Sequence, residues 1–103
     1  MNPMQRVRWR RWWSGVGMPA LRVMAIEHWD PVGVYDDASH ADVYDPYLER
    51  VGRMLRQGKG PEAIASYLGD VRTKAFKRGE SETADELFAD RVVAWYSLES
   101  PSS

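Results

Sequence analysis

The sequence predicts an all-α fold, a small antiparallel three-helix bundle with an ordered N-terminal loop around Trp29, Asp30 and Pro31. Three observations support this prediction. Apolar residues recur at three- and four-residue spacing in three stretches that follow residue 45. Helix start and stop signals flank each stretch, and the connections between the stretches are short. With 103 residues and 44% hydrophobic content, the chain is large enough for one core and too small for two.

The segment that precedes these helices is predicted to contain little regular structure. Residues 21–26 are apolar apart from Arg22, and we predict an extended segment there. Pro31 and Gly33 interrupt any regular element, so residues 29–40 are predicted to form an ordered loop. We expect Val32 and Val34, together with the neighbouring indole ring, to hold this loop against the helices.

The first predicted helix begins near Asp45 and Pro46 and ends near Gln57. Aspartate is a favoured N-cap, and proline suits the first helical position because the missing N–H would have no partner there. Gly58 stops the run, since glycine readily adopts the left-handed conformation that closes many helices. The apolar positions between these boundaries share one face.

Two further helices follow. Pro61 opens the second helix, and its apolar face continues toward Gly79. Gly69 in its interior costs about 1 kcal/mol relative to alanine and predicts a bend or split there. Ser81 is expected to cap the third helix, and Pro101 to end it. The predicted core lies on the inner faces of the three helices and consists of Val51, Leu55, Ile64, Leu68, Val71, Leu87, Phe88, Val92 and Trp95.

Charge divides the chain unevenly. Residues 1–22 hold five arginines and no acidic residue, whereas residues 23–103 hold the other nine basic residues and all 15 acidic ones. We therefore predict a basic, Arg/Trp-rich extension over residues 1–22, poorly ordered, and a single acidic helical domain over residues 23–103. Met18 and Met24 are alternatives to Met1 as the first residue of the protein, and translation from either would leave this extension out.

Several classes of function find no support in the sequence. Cysteine is absent, which excludes disulfides, thiolate metal ligands and a cysteine nucleophile and favours a cytoplasmic location. No apolar run approaches the roughly 20 residues that a transmembrane helix needs. The chain has no recognisable catalytic or cofactor motif, so we predict that it is not an enzyme and binds no cofactor. His28 and His40 each precede an aspartate by two residues, but this spacing matches no established metal site, and we predict no bound metal.

Two short motifs stand close together, WDPVGV at residues 29–34 and DVYDPY at residues 42–47. Together with the helices that follow, they resemble a family of short bacterial proteins that carry a domain of unknown function and a WDPIGV-like and DEYDxY-like motif pair. The resemblance covers residues 24–98. It implies no established activity, and small bacterial proteins of this kind often serve as immunity or accessory proteins.

The functional hypothesis that we prefer is a small acidic module that binds a basic protein partner, such as a toxin domain. Tyrosine rings supply contact area and carboxylates steer a basic surface toward the site. The predicted partner-binding residues are Trp29, Asp30, Tyr35, Asp36, Asp37, Asp42, Tyr44, Asp45 and Tyr47. Helix capping and core packing explain most of the same residues without a partner, and the sequence leaves both interpretations open.

The alternative hypothesis is nucleic-acid binding through the basic extension. Guanidinium groups attract phosphate, and indole rings stack on bases or settle at a membrane surface. The residues concerned are Arg8, Trp9, Arg10, Arg11, Trp12 and Trp13. Gly15, Gly17 and Pro19 follow them, so we predict that no long helix forms here. Packing of the tryptophans onto the domain is a further possibility that the sequence leaves open, as it does the oligomeric state.

Overall fold

The computed structural model describes residues 2–34, 40 and 42–101, and all regular structure in these residues is helical. Five α-helices follow one another: α1 (Pro3–Trp12), α2 (Met18–His28), α3 (Asp45–Arg56), α4 (Pro61–Asp70) and α5 (Glu82–Glu99). A π-helical segment, Trp13–Gly17, joins α1 to α2, and a second, Val71–Ala75, extends α4. The predicted all-α class is confirmed. The antiparallel bundle arrangement stays a prediction.

The chain begins with one continuous helical run, the N-terminal rod, which consists of α1, the first π-helical segment and α2. Asn2 caps it: the Asn2 side chain accepts a hydrogen bond from the Gln5 amide at 2.8 Å, and the Gln5 side chain accepts one from the Asn2 amide at 2.9 Å. The predictions of an extended segment at residues 21–26 and of no long helix near the N-terminus are wrong. The sequence also predicts a division of the chain at residue 22, which lies inside α2.

Glycine, which suggested a break in this region, has a packing role there. A Cβ atom at Gly17 would lie 2.8 Å from the Trp13 ring, and a Cβ atom at Gly52 would lie 2.5 Å from the same ring. The two glycines therefore leave the space that Trp13 occupies between the N-terminal rod and α3. The π-helical turn accommodates Gly15 and Gly17 without ending the helix.

The three helices that the sequence predicts are present with nearly the predicted bounds. α3 runs from Asp45 to Arg56, and α5 runs from Glu82 to Glu99. The second π-helical segment begins two residues after Gly69, close to the predicted soft spot. Ser81 stands at the N-cap of α5, but its side chain makes no capping hydrogen bond. The negative charges in the first turn of α5 favour this helix end.

The core contains seven of the nine predicted residues and adds many from the N-terminal rod. Leu87 is 64% exposed, so its assignment to the core is wrong, and Trp95 is only half-buried. Asp85 takes the inward position on α5 in place of Leu87. The buried side chains that the prediction lacked include Trp9, Trp13, Leu21, Trp29, Tyr44 and Leu48. The N-terminal rod thus contributes to the core and packs against α3 and α5.

Candidate functional site

Two aromatic rings of the predicted partner-binding set, those of Trp29 and Tyr44, lie in the core. Trp29 is 6% exposed, stacks nearly parallel on Phe88 with ring centroids 5.6 Å apart, and donates its indole N–H to Asp85 Oδ1 at 2.8 Å. Tyr44 is fully buried, and its hydroxyl donates to Asp30 Oδ1 at 2.7 Å. These contacts fix the loop after α2 to α5 and to the start of α3.

Asp30 organises that loop. Its backbone has a positive φ of 38°, a left-handed conformation that aspartate tolerates because its short side chain bonds locally. Oδ1 also accepts the Val34 amide at 2.8 Å, and the Val32 amide donates to the Tyr44 hydroxyl at 2.9 Å. Burial, and the hydrogen bond that its hydroxyl donates to Asp30, raise the pKa of Tyr44. The network therefore has a structural role in positioning the loop.

The other described members of the set divide between internal contact and solvent. Asp45 accepts two hydrogen bonds from the Arg22 guanidinium, at 2.9 and 2.7 Å, and this bonding raises the pKa of Arg22. Tyr47 is half-buried and meets Phe76 edge-on, with ring centroids 5.1 Å apart. Asp42 is exposed. Three predicted members lie outside the described residues: Tyr35, Asp36 and Asp37.

The tryptophans of the basic extension face the core. Trp9 and Trp13 are each 5% exposed and stack with centroids 5.3 Å apart. The Trp9 indole donates to the Tyr96 hydroxyl at 2.7 Å, and the Trp13 indole donates to Glu49 Oε2 at 2.9 Å. The guanidinium carbon of Arg56 lies 4.8 Å from the Trp9 ring centroid. These rings are unavailable for stacking on bases.

Trp12 completes this aromatic cluster, because its ring lies 5.7 Å from that of Trp95 and 5.9 Å from that of Tyr96. The arginines of the same helix point the other way. All three that the sequence suggested as phosphate contacts are exposed: Arg8, Arg10 and Arg11. The extension therefore presents basic charge to solvent, while its indole rings hold the N-terminal rod to α3 and α5.

A buried ion pair lies between the second π-helical segment and α5. Arg72 Nε donates to Asp85 Oδ1 at 3.1 Å, and the two residues are 8% and 3% exposed. The same oxygen accepts the Trp29 indole N–H. Arg72 Nη2 is buried and has no hydrogen-bond partner in the described part of the chain. Sequence reasoning missed this pair, although Asp85 lies at helical spacing from Phe88 and Val92 and so shares their inward face.

An open groove of about 710 Å³, the acidic groove, runs along α4, the connection that follows it and the first half of α5. No lysine or arginine lines it among the residues that the structure describes. Seven carboxylate side chains do: Glu62, Asp70, Glu80, Glu82, Asp85, Glu86 and Asp90. All of them are exposed except Asp85, which is buried. Lys74 lies outside the lining, 3.5 Å from Asp70 Oδ1. The sequence did not reveal this groove, because its acids come from separate segments that only the packing of α4 on α5 brings together.

The histidine pair shows no metal-binding arrangement. His28 Nε2 lies 3.8 Å from Glu27 Oε2, and both side chains are largely exposed. Over residues 2–34, 40 and 42–101, no group of three or more histidine, aspartate or glutamate side chains is positioned to hold a metal ion. Within the same ranges, no helix combines the length and the apolar character that crossing a membrane requires.

Comparisons with known proteins yield no relatives. No family model matches the chain, and neither the curated proteins nor the solved structures include a significant match. The resemblance to the short bacterial proteins with the paired motifs stays a prediction.

Proposed function

We propose that this protein is a small interaction module whose acidic groove binds a basic segment of a protein partner. The observation that carries this proposal is the concentration of seven carboxylates, without a lysine or arginine among the lining residues, around one concave surface. A basic toxin domain, held by this chain as an immunity or accessory protein, is one partner of suitable chemistry. The proposal assigns no catalytic step to the chain.

Concavity matters as much as charge. Carboxylates on a flat surface are screened by solvent and contribute little to affinity individually. In a groove they act on the same bound segment, and low-dielectric walls focus the field and raise the rate at which basic segments arrive. Ala65 and Gly69 of α4 also line the groove and offer apolar surface beside the charges. A bound segment therefore gains both electrostatic attraction and buried area.

Binding of a basic peptide tests the proposal. A twelve-residue peptide of alternating lysine, arginine and alanine should bind the intact protein at low salt and lose affinity as salt rises. A variant with Glu82→Gln, Glu86→Gln and Asp90→Asn removes three exposed charges of the groove and should weaken binding at least tenfold. Asp42→Asn, which removes one exposed charge outside the groove, is the control for charge lost elsewhere and should leave binding unchanged. Equal affinities of the triple variant and the wild type would overturn the proposal.

Nucleic-acid binding is a second candidate, favoured by the exposed arginines of α1. This candidate involves fewer contacts than the sequence-based hypothesis. The indole rings of Trp9 and Trp13 are buried, so the arginines can contact phosphate but these rings cannot stack on bases. Deletion of the extension would also remove core tryptophans, so the test replaces charge alone: Arg8→Gln, Arg10→Gln and Arg11→Gln in one variant. If these arginines bind phosphate, the variant should have a lower affinity for DNA or RNA and a shallower dependence on salt. Binding that is unaffected by the substitutions would reject this candidate.

A further inference from the structure

The acidic groove contains one carboxylate that differs from the others. The Asp85 side chain is 5% exposed, whereas the other six acidic residues of the lining are exposed. Its Oδ1 atom already accepts two N–H groups, from Trp29 at 2.8 Å and from Arg72 at 3.1 Å. Its Oδ2 atom accepts no hydrogen bond from the residues that the structure describes, although the residue lines the groove.

The neighbouring Gly69 has no side chain that could lie against this oxygen. A Cβ atom at Gly69 would lie 3.4 Å from Asp85 Oδ2, so any larger side chain at that position would cover the oxygen from the α4 side. Both residues line the groove. The result is an acceptor held in place by Trp29 and Arg72 on a residue that lines the groove.

We propose that Asp85 Oδ2 is the anchor for a lysine ammonium group of the basic segment, an inference that rests on the proposed function of the groove. Arginine pairs most strongly with a carboxylate through two parallel N–H···O bonds, which need both oxygens. In Asp85 one oxygen is occupied by Trp29 and Arg72. An ammonium group is a compact charge that needs a single oxygen, and its flexible stem reaches a recessed acceptor.

The exposed carboxylates complete the site. Arg72 balances the charge of Asp85, so the anchor itself supplies a fixed hydrogen bond more than a net field. Glu82 and Glu86 on α5, both exposed, supply the negative charge that the ammonium requires. The methylene stem of the lysine would lie against Ala65 and Gly69, since such stems pack on apolar surface while the charged end reaches its partner. The site thus distinguishes the two basic side chains by geometry and not by charge.

Two peptides of equal charge test this anchor. Hexalysine and hexaarginine are titrated into the intact protein, and calorimetry gives their affinities at one salt concentration. Hexalysine should bind at least threefold more tightly. Gly69→Leu should reduce hexalysine affinity to that of hexaarginine, and Gly69→Ala should reduce it in part, because each covers Asp85 Oδ2 without a change in charge. Gly79→Ala, at a glycine with open space around it, should leave the preference intact.

The outcomes separate the anchor from the proposed function. If both peptides bind with affinities that respond to the exposed charges of the groove, but hexaarginine binds as tightly as hexalysine, the anchor is overturned while the proposed function stands. If the lysine preference survives Gly69→Leu, the anchor is overturned as well. If neither peptide binds, both proposals fail. Helical circular dichroism of the Gly69→Ala and Gly69→Leu variants verifies that each is folded.

Discussion

The indole N–H of Trp29 donates a 2.8 Å hydrogen bond to Asp85 Oδ1, a carboxylate 56 residues further along the chain. Arg72 Nε reaches the same oxygen at 3.1 Å, and all three residues are buried. One oxygen therefore joins the loop after α2, the second π-helical segment and α5. Such a cluster is stable only while its members are all present, because each polar group has left water and depends on the others.

Replacement of Asp85 by alanine should destabilise the protein strongly. The change leaves the Arg72 guanidinium buried without its counter-charge, which typically costs about 3 to 5 kcal/mol of the free energy of unfolding. Urea denaturation followed by circular dichroism measures this loss. The double variant Arg72→Met and Asp85→Leu, which removes both charges, should recover most of the stability. A loss below about 1 kcal/mol for Asp85→Ala would show that solvent reaches Arg72 and that the pair contributes little.

Because of Tyr44, the free energy of unfolding should decrease at alkaline pH. Burial raises the pKa of its hydroxyl above the ordinary value of 10.0, so the folded state holds the proton more tightly than the unfolded state does. The stabilisation is therefore complete below pH 10 and decreases as the pH rises above that value. Denaturation at several pH values should reveal a decreasing free energy of unfolding in the wild type and a flatter profile in Tyr44→Phe.

The same variant tests the loop network at neutral pH. Without the hydroxyl, Asp30 and the Val32 amide lose a partner, and we expect Tyr44→Phe to lower stability at pH 7 by about 1 to 3 kcal/mol. Tyr67→Phe serves as the control. Burial also raises the pKa of Tyr67, but its side chain is only half-buried, so removal of its hydroxyl should cost less stability at pH 7. An alkaline profile in Tyr44→Phe as steep as that of the wild type would contradict the assignment to Tyr44.

Gly52 leaves room for Trp13, and a larger residue there should be harmful. The added Cβ atom in Gly52→Ala would lie 2.5 Å from the Trp13 ring, and overpacking of this kind costs about 1 to 3 kcal/mol. Gly15→Ala adds the same methyl group where no atom lies within 4 Å. It should raise stability by up to about 1 kcal/mol, the helix-propensity difference between the two residues. Thermal unfolding of both variants measures the contrast, and two similar shifts would refute the packing argument.

Trp9 should contribute to stability as a core residue. Its ring stacks on Trp13 and its indole bonds to Tyr96, so Trp9→Ala should cost about 3 to 5 kcal/mol. Val7→Ala is a suitable control in the same helix, because Val7 is 51% exposed and its truncation should have little effect. Chemical denaturation of the two variants decides the point. If both lose equally little, the N-terminal rod does not belong to the cooperative unit.

The helices with local signals are the ones that the sequence predicts well. At α3 and α4, a proline in the first turn marks the start, and the left-handed Gly58 follows the end of α3. The N-terminal rod carries the opposite signals, because Gly15 and Gly17 suggest a break. Its stability comes from contacts with α3 and α5, which are distant in sequence and invisible to a local pattern.

The error at Leu87 and the unforeseen internal contacts of Trp29, Tyr44 and Asp45 have a related cause. A pattern of apolar residues assigns the inner face of α5 to leucine, whereas the structure assigns it to an aspartate that Trp29 and Arg72 satisfy. A buried acid is recognisable only once its partners are known. Likewise, Trp29, Tyr44 and Asp45 have the composition of a docking surface, and their internal hydrogen bonds became evident only from the fold.

The hydrogen bond between Trp9 and Tyr96 joins residues 87 positions apart in the sequence. During synthesis the indole faces of α1 leave the ribosome before α5 does, and they stay uncovered until α5 has emerged. Over that interval the nascent chain carries uncovered aromatic surface of the kind that chaperones recognise and that promotes aggregation. Closure of this contact is thus a late event, completed only when α5 is free to cover α1.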